Sequence, residues 1–403
     1  MSEPLIVIGN GMAAARFVDE LGKRALGRHA VAVIGEEPRL AYNRVLLSAL
    51  LADEVGFADI ELKPKRWWRD RGVTLRYGER ATAIDASART VTLAGGSQLS
   101  FSKLVLATGS RPIKPTMPGM ELPGVHTFRD IDDVNTIAAS KGARVVVIGG
   151  GLLGLEAAYG LAKARAQVTV IHLMDRLMER QLDQRAALLL KDAVEAKGIA
   201  VRLEAQTARI VGKTHVEGIE LRDGSVIAAD AVVVAVGIRP STDLARTGEL
   251  KVNRGIVVDD HLETSCSGIH AIGECAEHRG LCYGLVEPAY EQAQLLARRL
   301  AGVDVGYPGS VLATNLKVSG VNVFSAGDFL GATGGAEEIV LSDPGVGIYK
   351  KLVIADDRLI GAVLFGDTAD GLWYLDLIRE GTSIGRLRDD LVCGRALATR
   401  AAA

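Results

Sequence analysis

Cysteine is scarce in this sequence, and its distribution excludes several kinds of chemistry. The 403 residues include four cysteines, with no C-x-x-C pair and none before residue 266: Cys266, Cys275, Cys282 and Cys393. An iron–sulfur cluster or a structural zinc ion needs about four such ligands at suitable spacings, so we expect no metal site. The same scarcity argues against a disulfide framework and favours a reducing compartment, the cytoplasm.

The sequence also lacks an excess of either charge, and it lacks long apolar runs. Lys and Arg total 47 and Asp and Glu total 49, which gives a net charge of −2. A chain so balanced has no global field for nucleic acid or an anionic bilayer, and we expect neither as a partner. No apolar run reaches the roughly 18 residues of a membrane-spanning helix. The first apolar strand begins at Leu5, which leaves no room for a cleavable signal peptide, so a soluble cytoplasmic protein is predicted.

Glycine, by contrast, is abundant, and two glycine clusters form an internal repeat. The chain has 46 glycines, and residues 5–14 (LIVIGNGMAA) match the pattern of residues 145–154 (VVVIGGGLLG). Each apolar run lacks alternation, as expected for a parallel strand that is buried on both faces. G-x-G-x-x-[GA] and an Ala-rich stretch follow directly, so each cluster predicts a strand, a tight turn and a helix.

A second repeated element ends each unit. Residues 104–112 (LVLATGSRP) and 232–240 (VVVAVGIRP) are apolar strands that end in Gly-x-Arg-Pro. Two such units in tandem predict an α/β fold with two doubly wound Rossmann-like nucleotide domains, each with one cofactor. Residues 114–124, rich in proline and glycine, form the strongest linker. Alternating apolar segments after residue 309 predict a C-terminal α+β domain of antiparallel strands, with a terminal helix from Asp370.

The first glycine cluster has the context of a dinucleotide site. Gly9 permits the tight turn, Gly11 lets the backbone approach a pyrophosphate, and Ala14 permits close packing of helix on strand. Glu36 ends the second strand 25 residues after Gly11, where a carboxylate can accept hydrogen bonds from both ribose hydroxyls of an adenosine. The alternative interpretation is a solvated glutamate after a strand.

The second cluster predicts a second dinucleotide site without an acidic residue at the end of its second strand. Its binding residues are the three glycines of the turn and the glycine of the final strand: Gly149, Gly151, Gly154 and Gly237. His172 stands where an acid would repel a 2′-phosphate, and two arginines follow closely, so NADPH stays open beside NADH. The alternative is that His172 packs at the domain edge.

A more specific motif lies at residues 264–276 (TSCSGIHAIGECA). It resembles the T-S-x-x-x-I-x-A-x-G-[DE] segment of the two-dinucleotide flavoprotein reductases in the glutathione-reductase-like superfamily. The resemblance implies that Glu274 binds the ribityl chain of FAD, because a carboxylate accepts hydroxyl hydrogens. It also implies that Thr108 and Gly109 form the turn beside FAD and that Arg44 lies near its phosphates. Glu156 matches a glutamate that approaches the nicotinamide, and a helix-N-terminal carboxylate stabilised by the dipole is the alternative.

Residues 42–48, 171–183 and 273–280 are similar to the flavin-binding part of NADH-dependent assimilatory nitrite reductases. In those enzymes iron–sulfur and sirohaem regions follow, and this chain stops at Ala403 without them. The resemblance implies hydride transfer from nicotinamide to flavin and release of electrons to a separate protein. It implies four parts: an FAD-binding domain in two pieces (1–113 and 241–308), an NAD(P)H-binding domain (114–240) and a C-terminal interface domain (309–403), of a kind that often forms dimer contacts.

Several alternatives within and beyond this superfamily remain at this point. Its disulfide reductases have C-x-x-x-x-C near Tyr42, and its peroxide- and oxygen-reducing members have one cysteine there. This chain has no cysteine in that region, so the disulfide reductases are excluded and the peroxide- and oxygen-reducing class is disfavoured. The acceptor is expected in nitrate or nitrite reduction. A rubredoxin or ferredoxin reductase is the close alternative, although those relatives often have a lysine where this chain has Ala49. Direct oxygen reduction by the flavin and a flavin-binding signalling protein are the others.

Two local features have competing interpretations. Basic residues between 63 and 71 interleave with Trp67 and Trp68. Helical spacing predicts one buried tryptophan and solvated charges, and docking of a small acidic electron carrier is the alternative. Cys275 and Cys282 lie near the expected flavin, but the six residues between them fit a loop better than a redox pair.

Overall fold

The computed structural model describes residues 2–318 and 321–401. The strands are β1 (Glu3–Ile8), β2 (His29–Gly35), β3 (Thr74–Tyr77), β4 (Ala81–Asp85), β5 (Thr90–Leu93), β6 (Gln98–Ser100), β7 (Lys103–Leu106), β8 (Ser110–Pro112), β9 (Val125–Thr127), β10 (Arg144–Ile148), β11 (Gln167–Ile171), β12 (Ala200–Arg202), β13 (Thr207–Val211), β14 (Gly218–Leu221), β15 (Val226–Ala228), β16 (Ala231–Val234), β17 (Ile238–Pro240), β18 (Ile256–Val258), β19 (Ile269–Ala271), β20 (Ala276–His278), β21 (Ala313–Val318), β22 (Val321–Gly327), β23 (Glu337–Asp343), β24 (Ile348–Ala355) and β25 (Arg358–Phe365). The helices are α1 (Met12–Gly22), α2 (Leu47–Leu51), α3 (Phe57–Ile60), α4 (Lys65–Asp70), α5 (Ile131–Ile137), α6 (Leu152–Lys163), α7 (Gln184–Glu195), α8 (Asp243–Thr247), α9 (Val286–Leu300), α10 (Gly371–Glu380) and α11 (Arg395–Ala401).

The chain forms two compact units, and each is built from three segments. The first comprises residues 1–46, 55–112 and 238–310, and the second comprises 47–54, 113–237 and 311–403. The changes of unit near residues 112, 237 and 310 lie close to the predicted domain boundaries. The functional assignment of those domains stays a prediction.

The first unit is organised around a parallel sheet of order β19-β7-β1-β2-β3. Strand β1 is buried from Leu5 to Ile8, because helices cover both faces of such a sheet. Helix α1 buries Phe17, Val18 and Leu21 in the same core. The predicted strand, turn and helix are therefore confirmed.

The second unit repeats this architecture in a parallel sheet of order β12-β11-β10-β16-β9. Val145 to Ile148 of β10 are buried, and helix α6 buries Leu155 and Leu161. Small antiparallel sheets, β4-β5-β6 in the first unit and β13-β14-β15 in the second, accompany the parallel sheets. The doubly wound α/β fold class is confirmed.

The C-terminal residues form the predicted antiparallel domain, of order β21-β22-β25-β24-β23. The alternating segments lie at residues 321–326, 346–354 and 360–365, and they form β22, β24 and β25. The predicted helix after Asp370 is α10. The pattern did not predict β21 or β23. Strand β23 lies at the sheet edge and begins with two exposed glutamates, which break the apolar alternation.

Helix α2 belongs to the second unit, although the segments on either side of it belong to the first. It contacts α6, where Leu51 packs over Gly160. A Cβ on Gly160 would lie 3.0 Å from the Leu51 side chain, so the glycine makes room for this packing. No local pattern signals the association, because the decisive glycine lies more than a hundred residues away in sequence.

The basic segment at 63–71 contains one fully buried tryptophan, as predicted. Trp68 is buried and Trp67 lies nearer the surface, with the Lys63 and Arg71 cations 4.8 and 4.1 Å from its ring centroid. The described helices include none with the length and apolar character that crossing a bilayer demands.

Candidate functional site

In the first unit, predicted site residues follow the carboxyl ends of four adjacent strands. Gly9 follows β1, Glu36 follows β2, Thr108 follows β7, and Glu274 follows β19. The carboxyl ends of parallel strands share one edge of the sheet, which is where open α/β sheets bind ligands. The fold therefore brings residues from four distant parts of the sequence to one edge.

The two leading glycines of this turn have different roles. Gly9 has φ +111°, and a Cβ on it would overlap the carbonyl oxygen of Ala107, so the fold itself requires glycine there. Gly11 has an ordinary φ of −103°. Apart from its neighbours in the chain, Asn10 and Met12, no described residue has an atom within 4 Å of a Cβ built on it. The space beside Gly11 is thus open to a ligand, as a close pyrophosphate requires.

The helices that begin at the two glycine turns lack side-chain caps. Neither α1 nor α6 has a capping hydrogen bond from its N-cap glycine, and the described first turns contain no acidic residue. By contrast, Asp130 and Asp183 accept hydrogen bonds at the starts of α5 and α7. Uncapped N–H groups at a helix start favour an anion, so the two turns suit phosphates.

Glu274 lies beside the turn that contains Gly109. The Ser110 hydroxyl donates to Glu274 Oε2 over 2.7 Å. A Cβ on Gly109, which has φ +65°, would lie 3.9 Å from the same oxygen. Thr108 Oγ1 donates to the Ser241 carbonyl over 2.8 Å. Three predicted FAD residues are thus together, and the sequence prediction missed Ser110 although it lies in the same repeated motif.

A second missed residue is Gln292 on α9. Its buried Oε1 accepts a hydrogen bond from the Gly273 N–H over 2.7 Å. This bond fixes the backbone directly before Glu274. Only the tertiary contact identifies the residue, because Gln292 lies outside every motif in the sequence.

Of the other three predicted FAD residues, Ala14 on α1 is fully buried, and Glu36 and Arg44 differ in their surroundings. Glu36 is exposed, with its Oε1 3.8 Å from Arg80 Nε, so its carboxylate is available to a ligand. Arg44 pairs with the Glu37 carboxylate, and its guanidinium lies 4.9 Å from the Tyr42 ring centroid. Arg44 therefore contacts the segment that directly follows β2, and its phosphate contact stays a prediction.

The second unit repeats the glycine turn with one stricter requirement. Gly149 has φ +123°, and a Cβ on it would overlap the Ala235 carbonyl oxygen. A Cβ on Gly154 would overlap the Gly149 carbonyl oxygen, whereas Gly151 has no described protein atom within 4 Å of its Cβ position. Gly237, with φ +116°, follows β16, and its carbonyl accepts from Ile113 N–H over 3.0 Å. Among these glycines, Gly151 is the one with open space beside it for a ligand.

His172 uses both ring nitrogens within the protein. Nδ1 accepts from the Gly150 N–H over 3.0 Å, and Nε2 lies 3.1 Å from Glu179 Oε2. The ring is buried, with 9% exposure. Since Nδ1 accepts a hydrogen bond, the proton on Nε2 points at Glu179. Direct coenzyme binding by His172 stays a prediction, and the ring has a defined structural role.

Glu156 is a buried carboxyl inside α6, with 9% exposure. Burial raises its pKa from 4.5 to about 8. Stabilisation by the helix dipole would lower the pKa, and Glu156 lies beyond the first turn of α6, so the interpretation as a dipole-stabilised carboxylate is disfavoured. A neutral carboxyl near pH 7 can donate a hydrogen bond as well as accept one. The nicotinamide-orienting role stays a prediction with suitable chemistry.

Glu156→Gln should remove a pH dependence of stability. The folded pKa of about 8 exceeds the ordinary value of 4.5, so the folded state binds this proton more tightly. The resulting stability is complete below pH 4.5 and is lost as the pH rises through 8, by at most about 1.4 kcal/mol per pH unit. Urea unfolding without coenzyme, at about pH 5 and pH 9, should show the variant gaining stability relative to the parent only at high pH. Glu195→Gln, at an exposed site on α7, is the control, and equal pH profiles for Glu156→Gln and the parent would contradict the assignment.

Two of the cysteines, Cys275 and Cys282, are not activated thiols. All four are free, and burial raises the pKa of Cys275 and of Cys282. Cys275 Sγ is 3.4 Å from the Leu106 carbonyl oxygen and 3.3 Å from that of Ile272. A reactive cysteine needs a lowered pKa, so these thiols are structural.

Comparison with known proteins gives consistent matches. The pyridine nucleotide-disulphide oxidoreductase family matches residues 3–295, and the rubredoxin NAD+ reductase C-terminal domain matches residues 313–382. The nitrite reductase [NAD(P)H] of Bacillus subtilis is 45% identical over 94% of this chain and 48% of its own length. The assimilatory nitrate reductase electron transfer subunit of the same organism is 41% identical, over 96% of this chain and 51% of its length. The chain thus spans about half the length of these two relatives. A ferredoxin reductase from Rhodopseudomonas palustris superposes with a TM-score of 0.88 and 26% identity over the whole of both chains.

Proposed function

We propose that this chain, which belongs to the pyridine nucleotide-disulphide oxidoreductase family, passes electrons from NAD(P)H through FAD to a separate protein acceptor. The observation that carries this proposal is the repeated glycine turn. Gly11 and Gly151 each leave open space at the uncapped start of a helix, while their neighbours Gly9 and Gly149 are required by the fold. Two such turns in one chain support two dinucleotides.

The residues present fit FAD in the first unit. Gly11 and the N–H groups of α1 would hold the pyrophosphate, and Glu36 would accept the ribose hydroxyls. Glu274, already bonded by Ser110, would accept from the ribityl chain. FAD supplies the ability to accept a hydride from NAD(P)H and to release electrons singly. Cys275 and Cys282 have no role as nucleophiles here, because burial raises the pKa of each thiol.

In the second unit the chain binds and orients the nicotinamide coenzyme. Gly151 and the start of α6 would hold its pyrophosphate. Glu156 would hold the nicotinamide amide, since its raised pKa of about 8 keeps a proton on the carboxyl at neutral pH. The protein's contribution is thus binding and orientation.

The destination of the electrons is proposed from the relatives. A nitrite reductase and an electron transfer subunit of nitrate reductase support an acceptor in nitrate or nitrite reduction. The rubredoxin reductase C-terminal domain and the Rhodopseudomonas palustris ferredoxin reductase support a rubredoxin- or ferredoxin-like carrier as the alternative. We also propose a cytoplasmic location, which four free thiols favour, and a homodimer formed through the C-terminal domain.

Anaerobic rapid mixing tests the proposal. The purified protein, loaded with FAD, should lose its flavin absorbance at about 450 nm within about a second of mixing with NADH. It should recover that absorbance when oxidised nitrite reductase, ferredoxin or rubredoxin is added, and the fastest of the three identifies the acceptor class. Slow bleaching, over minutes, would instead support a signalling protein. Reoxidation by oxygen alone at the same rate would point to direct oxygen reduction.

A further inference from the structure

The ends of the second strands can be compared residue by residue between the two units. Gly9 N–H donates to the Ile34 carbonyl over 2.8 Å, and Gly149 N–H donates to the Ile171 carbonyl over 2.9 Å. Ile171 is therefore the counterpart of Ile34. It follows that His172 corresponds to Gly35, and that the counterpart of Glu36 is Leu173.

At this point the two units have the large and the small residue in opposite positions. A Cβ on Gly35 would lie 2.6 Å from the Cβ of Asn10, and a Cβ on Gly150 would lie 2.8 Å from Cγ of His172. The first unit thus has the larger residue on the turn, and the second has it on the strand. The following position, Leu173, is 59% exposed and has no polar side-chain atom to meet a ribose.

The segment after Leu173 folds back over the glycine turn. Met178 N–H donates to the Gly150 carbonyl over 3.0 Å, and the Leu177 and Met178 side chains are fully buried. Met178 has φ +51°, a left-handed conformation that is costly for a residue with a side chain. This reversal brings the next residue, Glu179, to 3.1 Å from His172 Nε2.

We propose that Glu179 binds the adenosine ribose hydroxyls of the nicotinamide coenzyme and selects NADH over NADPH. His172 is the positioning residue for Glu179, because the same imidazole ring contacts the Gly150 N–H in the turn through Nδ1 and Glu179 through Nε2. The Glu179 side chain is 22% exposed, so part of it is open to solvent. A carboxylate accepts from two hydroxyls and repels a 2′-phosphate. This inference rests on the proposed binding of NAD(P)H in the second unit.

The charges around Glu179 are consistent with this role. Arg176 Nη1 holds the Asp175 carboxylate at 3.1 Å. The highly exposed Arg180 lies 3.8 Å from Glu179 Oε1. In the parent protein, a 2′-phosphate that approaches this place would be repelled by the Glu179 carboxylate, although the arginines lie nearby. Without that carboxylate the arginines would leave a cationic site that can accept a phosphate.

Glu179→Gln tests the proposal by binding as well as by turnover. Titration of the FAD-loaded variant with NAD+ and with NADP+ should show the NAD+ dissociation constant raised about tenfold. The NADP+ constant should be unchanged or lowered. The KM for NADH should rise with kcat unchanged, because ribose binding is equal in ground and transition states. Glu195→Gln, which removes an exposed carboxylate on α7 outside this segment, is the matched control and should leave the ratio of the two constants unchanged.

A second substitution distinguishes selection from a purely structural contact. Adding Leu173→Glu to the Glu179→Gln variant places a carboxylate where the first unit has one, and it should restore the preference for NAD+. Equal weakening of both coenzymes, or no change in either, would overturn the proposal, and Glu179→Ala serves as the second variant if the Gln variant does not fold. A parent protein that binds neither coenzyme would overturn the proposed function instead.

Discussion

Gly11→Ala should give a folded protein that has lost its yellow colour, while Gly151→Ala should give a yellow protein with an NADH KM raised tenfold or more. Neither new Cβ meets a described protein atom within 4 Å, and both glycines have ordinary φ angles, −103° and −84°. The protein therefore loses little stability, less than about 1 kcal/mol. The methyl group occupies the space through which a pyrophosphate approaches the helix start, so each substitution removes binding of one dinucleotide.

Flavin content and coenzyme binding separate the two outcomes. Purification in the presence of FAD, followed by absorbance of the unbound and bound fractions, measures retention, and thermal melting by circular dichroism measures folding. The Gly151→Ala variant should keep a full complement of flavin that dithionite still reduces. If Gly151→Ala loses FAD and Gly11→Ala keeps it, the two units are assigned in reverse.

Gly154→Ala should destabilise the protein strongly, although it lies three residues from the tolerant Gly151. The added Cβ would overlap the backbone carbonyl oxygen of Gly149, and backbone cannot move aside as a side chain can. Gly149 is itself fixed, because its φ of +123° and its contact with Ala235 leave no room. We expect a loss of about 3 kcal/mol or more, by displacement of α6 from the sheet.

The matched control is Ala14→Gly in the first unit. Ala14 is the counterpart of Gly154 and is fully buried, so the first turn already accommodates a Cβ. Its removal should cost only about 1 to 2 kcal/mol, from helix propensity and one lost methyl group. Urea unfolding of both variants makes the comparison. A Gly154→Ala variant as stable as the parent would show that α6 lies farther from the turn than described.

The sequence predicts the architecture well where a pattern is local. Residues 5–14 and 145–154 specify a strand, turn and helix, because burial on both faces removes alternation and the turn needs glycine. Strand β23 was missed because its edge position admits exposed charges. Helix α2 was not predicted to leave the first unit, because its packing depends on a distant glycine, Gly160.

The candidate site shows the same limit at the level of single residues. The motif identifies the glycines, but only the space around each Cβ separates Gly151, which is open, from Gly154, which is blocked. The sequence places His172 at the ribose position, whereas the hydrogen bonds of the turn shift the correspondence by one residue to Leu173. Glu179 carries no local signal, because its position depends on a chain reversal at Met178.

The interleaved course of the chain constrains how the protein is made. Strand β19 and helix α9 complete the sheet and core of the first unit, and α9 ends at Leu300. On the ribosome, β1, β2 and β7 emerge long before β19, which pairs with β7, and the entire parallel sheet of the second unit is translated in between. A nascent chain released before residue 274 lacks the carboxylate proposed for the ribityl chain. We therefore expect the protein to take up FAD only after this segment has been synthesised.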